Sequence, residues 1–322
     1  MDNQNGFLLM KDQILANLRE KESVVSGERL SVHLGISRVA IWKHIQKLQA
    51  SGYDIQSTPK GYLLRSSPDT PFPWEFPQRM SRMHYVERTT STMDIARDMA
   101  RKGAPDFTVV VAGVQEKGRG RLSRIWQSPE GGLYFTMVLR PELPPILSPR
   151  VNFAASLMLA QTLEQVCNIE VRVKWPNDLL VDEKKISGML SEMEAESDRV
   201  SFINIGIGIN VNNAPPPDVD YAASIRQLTG KTHSRLEILS RFLNTFEKRM
   251  ASGQLDTIIT EWKQQTATIG KEVTVTTTRG TSRGRAVDVD ESGALILETG
   301  AGERRNIVYG DCFHVPAGVQ EG

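Results

Sequence analysis

Apolar residues recur at helical spacing near the N-terminus. Leu8, Ile14, Leu15 and Leu18 fall on one side of a helix predicted over residues 8–20. Ser26 opens a second, short helix with Leu30, Val32 and Leu34 expected inside. Gly35 ends it, because glycine readily takes the left-handed backbone of a helix stop. Ser37 caps a third helix, Arg38 to about Ala50, whose core stripe is Ile41, Ile45 and Leu48. Residues 53–64 then alternate as a hairpin, with a turn near Pro59-Lys60-Gly61. Residues 66–80 are proline-rich, break both periodicities and read as a linker.

Farther on, strand-like runs at 108–114, 132–139, 171–175 and 202–211 mix with helical runs at 91–102, 150–167 and 235–251. This predicts an α/β or α+β domain over residues 81–268. Short strands at 272–278, 284–289, 294–298 and 306–308, separated by turn residues, predict a small SH3-like β-barrel over 269–322. Two helices joined across a glycine turn and followed by a hairpin resemble a winged helix-turn-helix, placed at residues 1–65. Ser37, Arg38, Trp42, Lys43 and Lys47 then belong to a reading helix, and Lys60 to the tip of the wing. This segment holds 9 basic and 6 acidic side chains, a net charge of +3.

Charge over the whole chain excludes a global field, since 39 Lys and Arg face 38 Asp and Glu in 322 residues. Contact with nucleic acid must therefore be local. Cys167 and Cys312 stand far apart, which fits a reducing cytoplasm. The five histidines show no ligand spacing, so no zinc site is expected. No apolar run approaches the ~18 residues of a membrane span.

Two segments carry the candidate chemistry. Residues 115–126, Gln-Glu-Lys-Gly-Arg-Gly-Arg-Leu-Ser-Arg-Ile-Trp, offer Arg119, Arg121 and Arg124 on a loop expected to be flexible at Gly118 and Gly120. Guanidinium groups and free amides suit an anion, and Trp126 suits something flat. Taken alone, the segment is equally a solvated basic turn. Residues 174–178, Lys-Trp-Pro-Asn-Asp, end a strand at Pro176 and leave Asn177 and Asp178 at the mouth of a sheet. An Asx turn is the plain reading there, and a nucleotide or metal site the functional one. Lys185 follows seven residues after Asp178, near enough to reach back across a hairpin. Ser91-Thr92 precede a helix and would cap it or face a small polar ligand. Gly206 and Gly208 open a strand to close approach, or mark a bulge, before Asn210.

In this order and spacing, Ser91-Thr92, Gln115-x-x-Gly118-Arg119-Gly120-Arg121-x-x-Arg124-x-Trp126, Lys174-Trp-Pro-Asn177-Asp178, Lys185-Ile-Ser-Gly188 and Gly206-Ile-Gly-Ile-Asn210 resemble the biotin–protein ligase family. The match is nearest to the bifunctional form, which is also a biotin operon repressor. The resemblance implies a central mixed-sheet, class II-synthetase-like ligase domain in an α+β multidomain chain. It also implies a reaction in two steps. Biotin and Mg2+-ATP give biotinyl-5′-AMP and pyrophosphate, and a lysine of a biotin carboxyl carrier domain, of acetyl-CoA carboxylase or a related carboxylase, then takes the biotin. By the same resemblance Ser91, Thr92, Gln115, Gly118, Arg119, Lys185, Gly188 and Gly206 bind biotin. Arg121, Arg124, Trp126 (near the adenine), Asn177, Asp178 and Asn210 bind the nucleotide, and Asp178 holds magnesium through ATP. Lys185, Arg121 and Arg119 carry the catalysis. Biotinyl-5′-AMP would be the co-repressor, promoting a homodimer on operator DNA. A monofunctional ligase whose N-terminal module binds no DNA is the alternative. Met93 replaces a frequent asparagine, and Leu122-Ser123 replace the Arg-Gly of the most repressor-like loop.

Overall fold

The computed structural model describes residues 2–20, 23–215, 221–300 and 302–315. The end of the expected C-terminal domain, residues 316–322, lies outside them. The chain divides into two compact units, Met1–Tyr85 and Val86–Gly322.

The first unit begins with α1 (Asp2–Glu20), α2 (Gly27–Leu34) and α3 (Arg38–Ala50), followed by the hairpin β1 (Asp54–Thr58) and β2 (Gly61–Ser66). The caps act as their sequence predicts. Ser26 Oγ accepts from Arg29 N at 3.1 Å and Ser37 Oγ from Ala40 N at 3.2 Å. Gly35 takes φ 66° at the stop of α2. Ile14, Leu15, Leu30, Ile41, Ile45 and Leu48 are wholly buried together. Val32, expected inside, is 75% exposed. It stands two residues from Leu30, about 200° around the helix, so the two cannot share a face. The bridge Val25 N to Tyr62 O, 2.8 Å, and its reciprocal, 2.9 Å, tie the wing to the start of α2.

Residues 66–80 are not a free linker. Phe72, Trp74 and Met80 pack into the same core. Trp74 Nε1 donates to Tyr53 Oη at 2.8 Å, and Glu75 accepts from both Tyr53 Oη and Arg19 Nη2. The prolines prevent regular structure, and the aromatic rings between them supply burial that a linker would lack.

In the second unit, strands and helices run from the end of β3 (Met83–Thr89) through α4 (Thr92–Arg101), β4 (Thr108–Arg119), β5 (Ile125–Ser128), β6 (Leu133–Leu139), α5 (Ser148–Cys167), β7 (Arg172–Lys174), β8 (Asp178–Val181), β9 (Lys184–Glu196) and β10 (Arg199–Ile209). Three helices follow: α6 (Ile225–Thr229), α7 (Arg235–Ala251) and α8 (Ile258–Gln264). The sheet order is β3-β4-β6-β10-β9-β8-β7, with β5 paired to β4. Alternation divides its residues between two faces. Ile203, Ile205, Ile207 and Ile209 register with Leu139, Met137, Phe135 and Leu133. Phe135 then meets Phe242 of α7 at 5.8 Å, which marks the fully apolar face. On the opposite face Ala96 and Ala100 of α4 pack against Val110, Val138 and Phe202. At the first turn of α4 that face is lined by Thr136 and Gly206, which Thr92 and Met93 touch, and next by Gly208.

The module at the C-terminal end consists of β11 (Glu272–Thr277), β12 (Gly280–Val289), β13 (Leu295–Glu298), β14 (Arg304–Ile307) and β15 (Asp311–His314). They form an antiparallel five-stranded sheet, ordered β14-β13-β12-β11-β15, over buried Val273, Val275, Ala286, Leu295 and Leu297. Trp175 keys it to the central sheet. Its indole Nε1 donates to Gly293 O and its backbone N to Thr268 Oγ1, each at 3.0 Å. Truncating so buried a tryptophan costs about 3–5 kcal/mol.

Candidate active site

Register brings four distant residues into one row. Lys174 pairs with Asp178, Asp178 with Gly188, and Gly188 with Gly208. The row forms the floor of a cavity of about 640 Å³. The glycines matter because something occupies the space above them. A Cβ on Gly208 would come 2.5 Å from Cε2 of Trp126, and one on Gly188 would come 3.0 Å from its Cζ3. The indole therefore lies flat across both strands. Its Nε1 is buried without a hydrogen-bond partner, a donor inside the wall. Lys185 Nζ stands 5.3 Å from the same ring and 2.7 Å from Asp178 Oδ1.

The arginine segment is more ordered than a flexible loop. Strand β4 continues to Arg119 and β5 begins at Ile125, so only a short turn separates them. In it Leu122 and Ser123 take φ 50° and 61°. The left-handed region costs non-glycine residues roughly 1–2 kcal/mol each. Gly118 lies within β4 and packs against Ser128 Oγ, where a Cβ would come within 2.7 Å. It is absent from the cavity wall. Gln115, placed by its sequence at a strand end, sits inside β4 instead.

The three arginines separate. Arg119 lines the cavity but is held by Glu192, which accepts from both guanidinium nitrogens, and by Asp94 Oδ1 at 3.2 Å. Arg121 stays half-buried beside the row and donates to Asn177 Oδ1 at 3.3 Å. Burial pulls its pKa down, opposed by the nearby Asp311 and Asp178 carboxylates. Arg124 reaches β15, where it pairs with Asp311 at 2.8 Å and lies 5.6 Å from the centre of Phe313. Asn177 also donates to Met189 O, so its amide braces β9 while holding Arg121.

At the other end, Gln115 Oε1 accepts from Thr92 N at 2.8 Å and Thr92 Oγ1 at 3.1 Å, and Gln115 Nε2 donates to Ser128 Oγ at 2.9 Å. Thr92 Oγ1 also meets Thr136 Oγ1 at 2.7 Å. Ser91 caps α4 by accepting from Met93 N at 3.3 Å. Met93 Sδ covers Gly206, whose Cβ would come 2.6 Å from it. Asn210 is buried in the wall, its Oδ1 taken by Asn213 Nδ2 at 3.0 Å.

Pattern reading missed Ser128, which pairs with Gln115 in the sheet, and Thr136, which meets Thr92 of α4 from its place on β6. It also missed the contribution of β15, for which Asp311-Cys312-Phe313-His314 carries no local signal. The Cys312 thiol lines this end, but burial pushes its pKa up to about 12, so it stays protonated. Among the described residues no three His, Cys, Asp or Glu side chains gather to hold a metal. Asp178 suits a cation that arrives with phosphate oxygens of its own.

The first unit presents a separate surface. Lys43 and Lys60 are exposed, and Arg38 is exposed although 3.7 Å from Glu28. Trp42 is 51% exposed on α3. Lys47 Nζ lies 4.1 Å from the Phe7 ring centre, so it is less free than its place on the helix suggests. The Ser37 hydroxyl is occupied by its cap.

A helix-turn-helix unit, followed in the chain by an α+β domain with cations and an indole over a glycine floor, defines an anion-handling, ligand-binding enzyme class. Comparison with known proteins makes it particular. Residues 85–210 match the biotin/lipoate A/B protein ligase family, 11–63 a helix-turn-helix domain and 268–315 the biotin protein ligase C-terminal domain. The chain is 36% identical over 313 residues to the bifunctional ligase/repressor BirA of Bacillus subtilis, covering 92% of this chain and 96% of that one. It is 33% identical to the biotin–[acetyl-CoA-carboxylase] ligase of Paracoccus denitrificans, over 68% of this chain and 95% of the other. The biotin protein ligase of Aquifex aeolicus, solved with biotin and ATP, superposes with TM-score 0.62 at 28% identity, over 72% of this chain and 97% of that one. The chain belongs to the biotin/lipoate A/B protein ligase family. No described helix is long and apolar enough to cross a membrane.

Proposed function

We propose that this cavity joins the carboxylate of biotin to the α-phosphate of ATP and then delivers the biotinyl group to a carrier-domain lysine. The observation that carries the reading is the row Lys174–Asp178–Gly188–Gly208, with Lys185 and Arg121 beside it and the Thr92–Gln115 network at its far end. Thr92 and Gln115 supply fixed donors and acceptors of the kind a ureido ring requires, with Ser91 next to them. The indole of Trp126, resting on the Gly188–Gly208 floor, supplies a flat apolar surface in the cavity wall.

Attack of one anion on another needs their charges neutralised before they meet. Lys185 and Arg121 perform that task for carboxylate and α-phosphate. Arg124, Asn177 and Asn210 stand on the nucleotide side, and Asp178 is the carboxylate that would hold ATP-borne magnesium, which further neutralises phosphate charge. The carboxylate oxygen forms a bond to phosphorus while the bond to pyrophosphate breaks. The acceptor amine then attacks the mixed anhydride, and AMP leaves. No protein nucleophile is required, consistent with a protonated Cys312. Arg119 is assigned a positioning role, because Glu192 and Asp94 already hold its guanidinium.

In the same reading the helix-turn-helix unit represses transcription from operator DNA, with biotinyl-5′-AMP as co-repressor and a ligand-promoted homodimer as the binding species. A reducing cytoplasm suits the free cysteines. Biotin-dependent ATP–pyrophosphate exchange tests the ligase. Exchange with biotin and none with lipoate is expected, and exchange that ignores biotin overturns the reading.

A further inference from the structure

The outward face of α3 carries an apolar side chain that phosphate contact does not explain. Ile41, Ile45 and Leu48 mark the buried side of this helix. At about 100° per residue the opposite direction falls on Val39, Lys43 and Gln46. Val39 is 62% exposed in the first turn, immediately after the Ser37 cap. Its surface neighbours at i+3 and i+4 are Trp42, 51% exposed, and Lys43, and Arg38 and Gln46 are exposed as well. In helix-turn-helix proteins the first residues of the second helix are those that meet base edges.

Valine has no hydrogen-bonding group. The base-edge feature in the major groove that it matches is the C5-methyl of thymine. Its β-branched side chain is also nearly fixed at χ1 in a helix, so little rotamer freedom is lost on contact. We propose that Val39 reads a thymine methyl in each half-site, while Arg38 and Lys43 beside it contact phosphates. Val39 is thus a specificity determinant distinct from the basic residues that supply general affinity. The proposal rests on the DNA-binding reading above.

The test uses the full chain with biotin and Mg2+-ATP. Bound duplexes are first selected from a random library. Each thymine of the selected site is then replaced in turn by deoxyuridine, which lacks only the methyl. Wild-type protein should bind one such duplex per half-site more weakly, by roughly fourfold as burial of one methyl implies. Val39→Ser should bind that duplex and its thymine parent equally, with unchanged ligase activity and melting temperature. If no thymine is sensitive, or if Val39→Ser keeps the same sensitivity, the assignment of Val39 is overturned while DNA binding stands. If no sequence is selected at all, the DNA-binding reading itself fails and the assignment with it.

Discussion

Gly208→Ala is the sharpest probe of the glycine floor beneath Trp126. The added methyl would lie 2.5 Å from Cε2 and 2.9 Å from Cδ1 of the indole, about 0.9 Å short of ordinary contact at the nearer atom. The ring cannot slide along the floor, because its far edge already lies close over Gly188. It must lift into the cavity. Overpacking of this kind costs typically 1–3 kcal/mol. Here the displaced ring has open space to enter, so the cost should appear in ligand binding rather than in folding. We expect the KM for biotin to rise by roughly 5–150-fold, which is that energy expressed as an equilibrium ratio, with kcat changed far less. The melting temperature should move by only a few degrees. A Trp126→Leu background removes the obstacle, so Gly208→Ala should cost much less there, and the coupling in this double-mutant cycle measures the contact. Steady-state biotinylation of a carrier domain, with biotin and ATP varied separately, provides the assay. Wild-type KM values for both substrates in Gly208→Ala would refute the account of the glycine floor.

Lys185→Ala should lower biotin-dependent pyrophosphate release about 10²–10³-fold, the usual cost of removing one group aimed at transition-state charge, while the protein folds normally; unchanged release would dismiss the role. Glu192→Gln removes the charge that holds Arg119, in a pair about one-third exposed on both sides. It should cost less than about 1 kcal/mol of stability and speed amide exchange across the 119–124 turn several-fold, whereas unaltered exchange would show the turn to be held by other contacts. Lys11 lies buried 3.6 Å from the Trp74 ring centre, and burial, then the Lys47 charge, pulls its pKa from the ordinary 10.5 down to about 8. The unfolded chain therefore binds more protons than the folded one between those values, and the stability of the first unit rises with pH from about 8 toward 10. The buried Cys167 and Cys312 thiols of the second unit, raised to about 12, act in the opposite sense above their ordinary 9. Tyr53, whose pKa burial raises, acts in the opposite sense only above its ordinary 10. Lys11→Met should flatten the rise and add on the order of 1–3 kcal/mol at pH 7, read as exchange protection of α1 and α3; a persistent rise would place its source elsewhere.

Local rules set much of this protein. Caps at Ser26, Ser37 and Ser91, the stop at Gly35 and the stripe Ile41–Ile45–Leu48 each depend on residues within one or two turns, and they stand where their spacing puts them. The motif segments converge on one cavity for a related reason, since each ends or interrupts a strand whose alternation is visible in the chain. Glycines at 188 and 208 were legible as glycines, but not their purpose, because the indole they admit comes from Trp126 on a different strand pair. Arg119 read as an anion ligand, since Glu192, 73 residues away, becomes its partner only when β9 folds beside the arginine hairpin. Strand β9 itself went unread because its second half, with Glu192, Glu194 and Glu196, looks solvated rather than sheet-forming. The proline-rich stretch 66–80 read as a linker because its local backbone has no period, yet Phe72 and Trp74 pack it into the first unit's core. Sequence therefore determined the helices, the turns and the families of side chains available for chemistry. Tertiary structure decided which charges face the cavity and which are already paired, because strand register joins residues that no local interaction relates.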